Sequence, residues 1–396
     1  MIFKCNDLIF FASYPTSYTV FYYHYESMKD PFKTVAITVI VFILTMHNSF
    51  AQQCNCSLAF EWAKKAFEEN DAGFRYILDQ KGSEAYELHN SFFQKKVQGI
   101  TNPDTCTRAI RQWAKFFRVG HFGFVINAIQ TDKTNPVAYN KKSTTTGASV
   151  SSYIKNNSYI QDYDSATVYL RIPTFDSYHT RQIDSVIQAN NSKILRKKNL
   201  IIDIRDNGGG TDQSFYDILP IIYTNPIRSL SVEYLSTPNN NKKWVDLEQQ
   251  NGLNETEKAR YARYVEKLKA SPGKFVGLSD SVYMTTYDVK YPFPQNVAII
   301  INGNNGSTAE QFLLAAKQSK KVKLFGTTTM GELDISNMYS ITSPDQKYTL
   351  WYCTSKSLRI PGYTIDNKGI EPDYYIDKSI PDKKWLPYVS QIMESW

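Results

Sequence analysis

Two places in the chain put chemistry-bearing residues where a buried strand gives way to a loop. The first is Asp203-Ile204-Arg205-Asp206-Asn207-Gly208-Gly209-Gly210. Three glycines after a strand let the backbone take positive φ and turn its N–H groups toward an anion. That geometry suits a phosphate cradle, an oxyanion hole or a tight turn with no ligand, and neither GxGxxG nor GxxxxGK[ST] is present to favour the cradle. The second place is Gly303-Asn304-Asn305-Gly306-Ser307-Thr308-Ala309-Glu310. A serine at a helix entrance with a glutamate three residues on has the form of a capping box. The same serine, at the positive end of a helix dipole, is also placed as a nucleophile whose developing oxyanion is favoured there. It is not the GxSxG elbow, because Asn305 and Ala309 stand at the flanking glycine positions.

The elements that must hold these loops follow from hydrophobic period. Residues 56–118 carry apolar residues at helical spacing (Leu58, Trp62, Ala66 and Phe67, later Phe92, Phe93 and Val97). Asn102-Pro103-Asp104 marks a turn between helices. Residues 120–126 have strand composition, and 132–164 are polar. From 165 onward strands and helices alternate. Thr167–Ile172 is a strand, Arg181–Asn190 an amphipathic helix, Leu200–Ile204 a strand buried on both faces, and Ser214–Tyr223 a helix. After residues 224–292, which read as a polar loop at Pro238–Lys243 and a charged helix at Glu255–Lys269, come the strand Val297–Ile301, the helix Ala309–Lys317 and the strand Val322–Phe325. Repeated strand–helix–strand units predict an α/β class with a mostly parallel sheet covered by helices.

Composition narrows the function. Of 396 residues 42% are hydrophobic and 21% charged, an ordinary globular balance. The net charge of +7 is spread without long basic runs, so no nucleic-acid partner is expected. Lys29 and Lys33 precede the uncharged stretch Thr34–Met46, and Ser49-Phe50-Ala51 supplies small residues at the two positions that a signal peptidase reads. The stretch is too short for a bilayer, which takes ~20 helical residues. Met28–Ala51 is therefore read as a secretory signal, with residues 1–27 an upstream start assigned too early. The expected compartment is secreted or periplasmic, without a lipid anchor, because no lipobox precedes Cys54. Export permits disulfides, and Cys54 or Cys56 bonded to Cys106 is the expected bridge. A zinc site is the rival use of Cys54, Cys56, Cys106 and Cys353, but no CxxC pair supports it, and no metal is expected.

Taken together, the motifs resemble peptidase family S41, the C-terminal processing proteases with the tricorn core and retinoid-binding relatives. The D-x-R-x-N-x-G-G loop is seen in Asp203–Gly210 and the Ser-x-[Ala/Ser]-Glu helix start in Ser307–Glu310. G-x-x-T-x-G is matched by Gly326–Gly331 and G-[IV]-x-P-D by Gly369–Asp373. The resemblance implies a crotonase-like αβ core over 165–377 with 224–292 inserted, preceded by an N-terminal helical domain (52–118) and by a 119–164 segment too short for a PDZ domain. A tail or helix at 378–396 follows.

The family has two catalytic designs. Its Ser–Lys branch places the lysine just after the last glycine of G-x-x-T-x-G, where this chain has Glu332, and a carboxylate cannot serve as a neutral amine base. The Ser–His branch has an upstream histidine before a strand, and His121 in Val119-Gly120-His121-Phe122-Gly123 resembles it. The resemblance thus implies Ser307 as nucleophile, His121 as base, and the backbone N–H groups of Gly209 and Thr308 as the oxyanion hole. Glu371 is the expected acidic member, with Asp373 as the alternative. The branch also has a serine just before the histidine, where this chain has Gly120. The function so implied is an exported serine peptidase acting on peptides or proteins, with no cofactor. The alternatives are a silent binding protein for an apolar or peptide ligand, and an acyl hydrolase that does not cleave peptides. Residues 224–292 are expected to be either a wall over the cleft or a solvated appendage.

Overall fold

The computed structural model describes residues 54–127 and 157–396. The proposed leader and most of the polar stretch after residue 127 lie outside the described residues. The described chain opens with helices Cys56–Asn70, Phe74–Lys81, Ser83–Val97 and Pro103–Ala114. Asn102 caps the last of these through Thr105 N–H, and Pro103 sits at its first position, where a missing N–H costs nothing. The aromatic cluster of Phe60, Phe67, Trp113 and Phe117 is fully buried between these helices. Cys56 is bonded to Cys106 and ties the first helix to the fourth. Cys54 and Cys353 are free and buried.

That bond closes 50 residues of sequence. In the chain-entropy account a loop of this size confers about 4 kcal/mol, with 2–4 kcal/mol typical. Cys56→Ala together with Cys106→Ala is expected to lower the unfolding free energy by about 3 kcal/mol, measured by urea denaturation. A pair of alanines as stable as the parent would show that the helices need no tie.

The strands are β1 Gly123–Ile126, β2 Tyr159–Asp162, β3 Thr167–Arg171, β4 Asn199–Asp203, β5 Ile227–Leu230, β6 Val232–Leu235 and β7 Phe275–Gly277. They continue with β8 Val282–Thr285, β9 Asn296–Ile301, β10 Val322–Gly326, β11 Ile335–Thr342, β12 Tyr348–Ser357 and β13 Tyr374–Tyr375. Six form one sheet in the order β13-β10-β9-β4-β3-β2, parallel throughout except for β2. Its central strands bury both faces by simple alternation. Leu200, Ile202, Val297, Ile299 and Ile301 pack toward the helices Thr180–Ile194 and Thr308–Ala316. Ile201, Ala298 and Ile300 pack toward Trp385, Val389 and Met393 of the C-terminal helix Trp385–Met393. This is the α/β class that the alternation predicts.

A second, antiparallel sheet runs β1-β12-β6-β7, with β11 on the other edge of β12. Two expectations within 224–292 are corrected here. Pro238–Lys243 is not a loop but part of the helix Pro238–Glu248, capped by Thr237. The segment is not a solvated appendage either: β6 joins β12, and Asn240 Nδ2 donates to the Asn70 carbonyl at 2.9 Å. Likewise Ser214–Tyr223 holds only a 3₁₀ turn at Asp212–Phe215 and a single turn of helix at Leu219–Ile222. Among the described residues no helix is long and apolar enough to cross a membrane.

Candidate active site

The loops that leave the carboxyl ends of β4, β9 and β10 meet at one edge of the parallel sheet, since Asp203 is level with Ile300 and Ile301 with Gly326. Such an edge is where open parallel sheets bind ligands. Asn305, fully buried, fastens the first two loops. Its Nδ2 donates to the carbonyls of Ile204 at 2.5 Å and Asn207 at 3.1 Å, and its Oδ1 accepts from Asn302 N–H at 2.7 Å. Upstream, buried Asp203 binds Arg205 and the Tyr169 hydroxyl, so the first motif's acidic residue shapes its loop from within.

Ser307 ends this turn at φ 55° and ψ −124°, immediately before the helix Thr308–Ala316. These are the angles of the first central residue of a type II′ turn, a glycine-favouring conformation. The Ser307 side chain makes no capping bond. Nor does Glu310 reach back to Ser307, as a capping box requires. Glu310 is fully buried and accepts from Thr329 Oγ1 at 2.5 Å, Gly331 N–H at 2.7 Å and Glu332 N–H at 2.8 Å. It fixes the loop after β10 onto the helix. That loop in turn fixes the serine, because Ser307 N–H donates to the Glu332 carbonyl at 3.0 Å. Thr329 also pairs with Ile370 in both directions, which docks the fourth motif behind the third.

The glycine loop lies against the serine. A Cβ on Gly209, whose φ is +100°, would come within 2.8 Å of both Ser307 Cβ and Thr308 N. Only glycine permits this approach. The two expected oxyanion donors differ, however. Gly209 N–H donates to Asn207 Oδ1 at 3.0 Å, whereas no acceptor is bonded to Thr308 N–H among the described residues.

His121 precedes β1 at φ 49°. Its Nδ1 lies 2.8 Å from the Ile335 carbonyl. A carbonyl only accepts, so Nδ1 carries the proton and Nε2 the free lone pair. Burial pushes the imidazole down to about 4, with the nearby Arg118 charge adding to the effect and the Ile335 bond opposing it. The histidine is therefore neutral at pH 7. Ile335 is itself anchored: Asp366 accepts from the N–H groups of Leu333, Asp334 and Ile335. Glu332 is a neighbour of both His121 and Ser307. Its Oε1 is 3.8 Å from His121 Nδ1, both side chains are 13% exposed, and its own carbonyl holds Ser307.

The model of peptidase family S41 matches residues 166–376, more than half of the chain. The chain belongs to peptidase family S41. Among solved structures, mature CPAF is similar over 85% of this chain and 96% of its own, at 12% identity and a TM-score of 0.58, which shows a shared fold. A lipoprotein from Streptococcus agalactiae (14% identity, 88% and 99% covered, TM-score 0.45) and the photosystem II D1 C-terminal processing protease (13%, 85% and 97%, TM-score 0.42) also match. No curated protein sequence matches.

Set on this S41 chain, one expected site residue is not where the motif suggested. Glu371 is exposed, and its carbonyl accepts from Lys317 Nζ at 3.2 Å. Lys317 caps the far end of the helix that Ser307 begins, about 14 Å of helix away. The structure does not bring Glu371 to His121. Asp373, the alternative, accepts from Leu324 N–H at 2.7 Å and serves the β10–β13 join. The carboxylate that the structure does bring beside His121 is Glu332, which is not among the expected site residues. The available signal was its departure from the lysine of the other branch.

Proposed function

We propose that the chain is an exported serine peptidase of Ser–His type, with Ser307 as nucleophile and His121 as general base. The observation that carries this reading is the Ser307 backbone. A strained serine without a capping bond, at a helix N-terminus and in contact with a glycine loop, is held for its hydroxyl rather than for its helix. As Ser307 Oγ attacks the scissile carbonyl its proton passes to His121 Nε2, and the same proton then goes to the leaving amine. The oxyanion takes the free N–H of Thr308 at the positive end of the helix, a donor typically worth ~3 kcal/mol. Gly209 N–H becomes the second donor when it exchanges Asn207 Oδ1 for the developing charge. Substrates are peptides or proteins, with no cofactor. Export is supported by the Cys56–Cys106 bond, a kind seldom kept in reducing compartments.

Fluorophosphonate labelling read by intact mass tests the reading. Wild type is expected to gain one adduct, Ser307→Ala none, and His121→Ala to react ~10²–10⁴-fold more slowly. A folded wild type that takes no label would favour a silent binding protein instead.

A further inference from the structure

Among the described residues, Glu332 is the one carboxylate within 4.0 Å of a His121 ring nitrogen. Its place is made by an absence. A Cβ on Gly120 would overlap the Glu332 carboxyl group. The two departures from the family's patterns, glycine before the histidine and glutamate in place of lysine, are therefore one feature: the missing side chain opens the space that the carboxylate fills. No hydrogen bond to the Glu332 side chain is formed among the described residues, although its backbone N–H and carbonyl are fixed by Glu310 and Ser307. The backbone thus aims the carboxyl group while leaving it uncommitted.

We propose that the Glu332 carboxylate is the positioning acid of the site, stabilising the His121 imidazolium from the Nδ1 side in the role expected of Glu371. This rests on the Ser–His reading. In the ground state Nδ1–H is bonded to the Ile335 carbonyl, and Glu332 at 3.8 Å is a near neighbour only. When the Ser307 O–H bond breaks, the proton and its positive charge arrive at Nε2, while the Oγ–C bond forms and the carbonyl π pair moves to the oxyanion. The charge spreads over the ring, and Nδ1–H turns toward or divides between Ile335 and the carboxylate. Glu332 neither gains nor loses a proton in this step.

The assignment has a pH signature. Burial raises the Glu332 carboxyl to about 7. Asp366 and Glu310 add to the rise, and Arg118 opposes it. On the histidine side stand Arg118 and Asp71, with the buried Cys353 beside both acids. Below about pH 7 Glu332 is neutral and gives no help, and above it the anion is present. The acid limb of reactivity is then expected near 7, not near the 4 of His121 alone.

The test is the second-order rate of fluorophosphonate inactivation from pH 4 to 9, on wild type, Glu332→Gln and Glu332→Asp. Wild type should rise through pH 7 to a plateau. Glu332→Gln should lose that limb and have a plateau lower by ~10–100-fold, because an opposite charge this close shifts a pKa by ~1–3 units. Glu332→Asp should recover part of both. The His121 Cε1 proton resonance supplies a readout besides reactivity, and its titration should fall in the glutamine variant. A labelled wild type whose Glu332→Gln variant keeps both limb and plateau would overturn the role of Glu332 alone. A wild type unlabelled on Ser307 at every pH would overturn the Ser–His reading and this role with it.

Discussion

Ser307→Gly is expected to abolish hydrolysis and at the same time raise the stability of the fold. Loss of the nucleophile in a serine hydrolase costs on the order of 10⁶ in kcat, leaving only what the oxyanion donors and binding contribute. Stability moves the other way. At φ 55° and ψ −124° a non-glycine residue bears strain of about 1–3 kcal/mol, which glycine relieves. Glycine's extra unfolded-state entropy offsets about 0.4–1 kcal/mol of that. The hydroxyl makes no capping bond, so none is lost. The net expectation is a gain of about 1 kcal/mol, seen as a midpoint higher by ~2 °C in calorimetry for a chain of this size. Were Ser307 a cap after all, removing its hydroxyl would bring no such gain. A lower midpoint would thus remove the main support for the nucleophile.

The parts of this design that the sequence shows are those with a local cause. β4 and β9 are legible because a run such as Leu200-Ile201-Ile202 suits only a strand covered on both faces, and the loops after them because glycine triplets and a serine at a helix start have few uses. The β11–β12 hairpin was not legible. Ile335-Ser336-Asn337-Met338 neither alternates nor runs apolar, and Asn337 takes positive φ. The helix at Pro238–Glu248 carried its signal, a Thr237 cap followed by proline at the first position, but Asn239-Asn240-Asn241 masks it with loop composition. Glu371 is marked only by its place in a motif, and a motif fixes a position along the chain rather than a distance to His121. The Gly120–Glu332 fit joins residues more than two hundred apart, which no local period encodes.

The proposed base, His121, rests on a second long-range contact, and its removal is expected to have the largest effect on folding. Asp71 follows the first helix and is buried with its oxygens on Gly73 N–H, Cys353 N–H and the Arg118 guanidinium. Arg118, over the ring of Phe67, reaches back to the His121 carbonyl with two long bonds of 3.4 Å. Asp71 and the other acids nearby hold the guanidinium firmly charged against the cost of burial. Arg118→Met strands the Asp71 carboxylate without its partner and should cost about 3–5 kcal/mol. Asp71→Asn with Arg118→Met removes both charges and should cost clearly less, so urea unfolding of the four members of this cycle should show strong coupling. The double variant, though folded, should still lose ~10²-fold in labelling rate, because the left-handed His121 no longer has its carbonyl held. Equal destabilisation by the single and double changes would sink the argument. The match to the family model begins at residue 166, yet the proposed base is residue 121, whose carbonyl is held by an arginine that Asp71 in turn holds. On the Ser–His reading, the helical region before the core is therefore expected to be a working part of the site, because it holds the backbone of the residue that carries the imidazole.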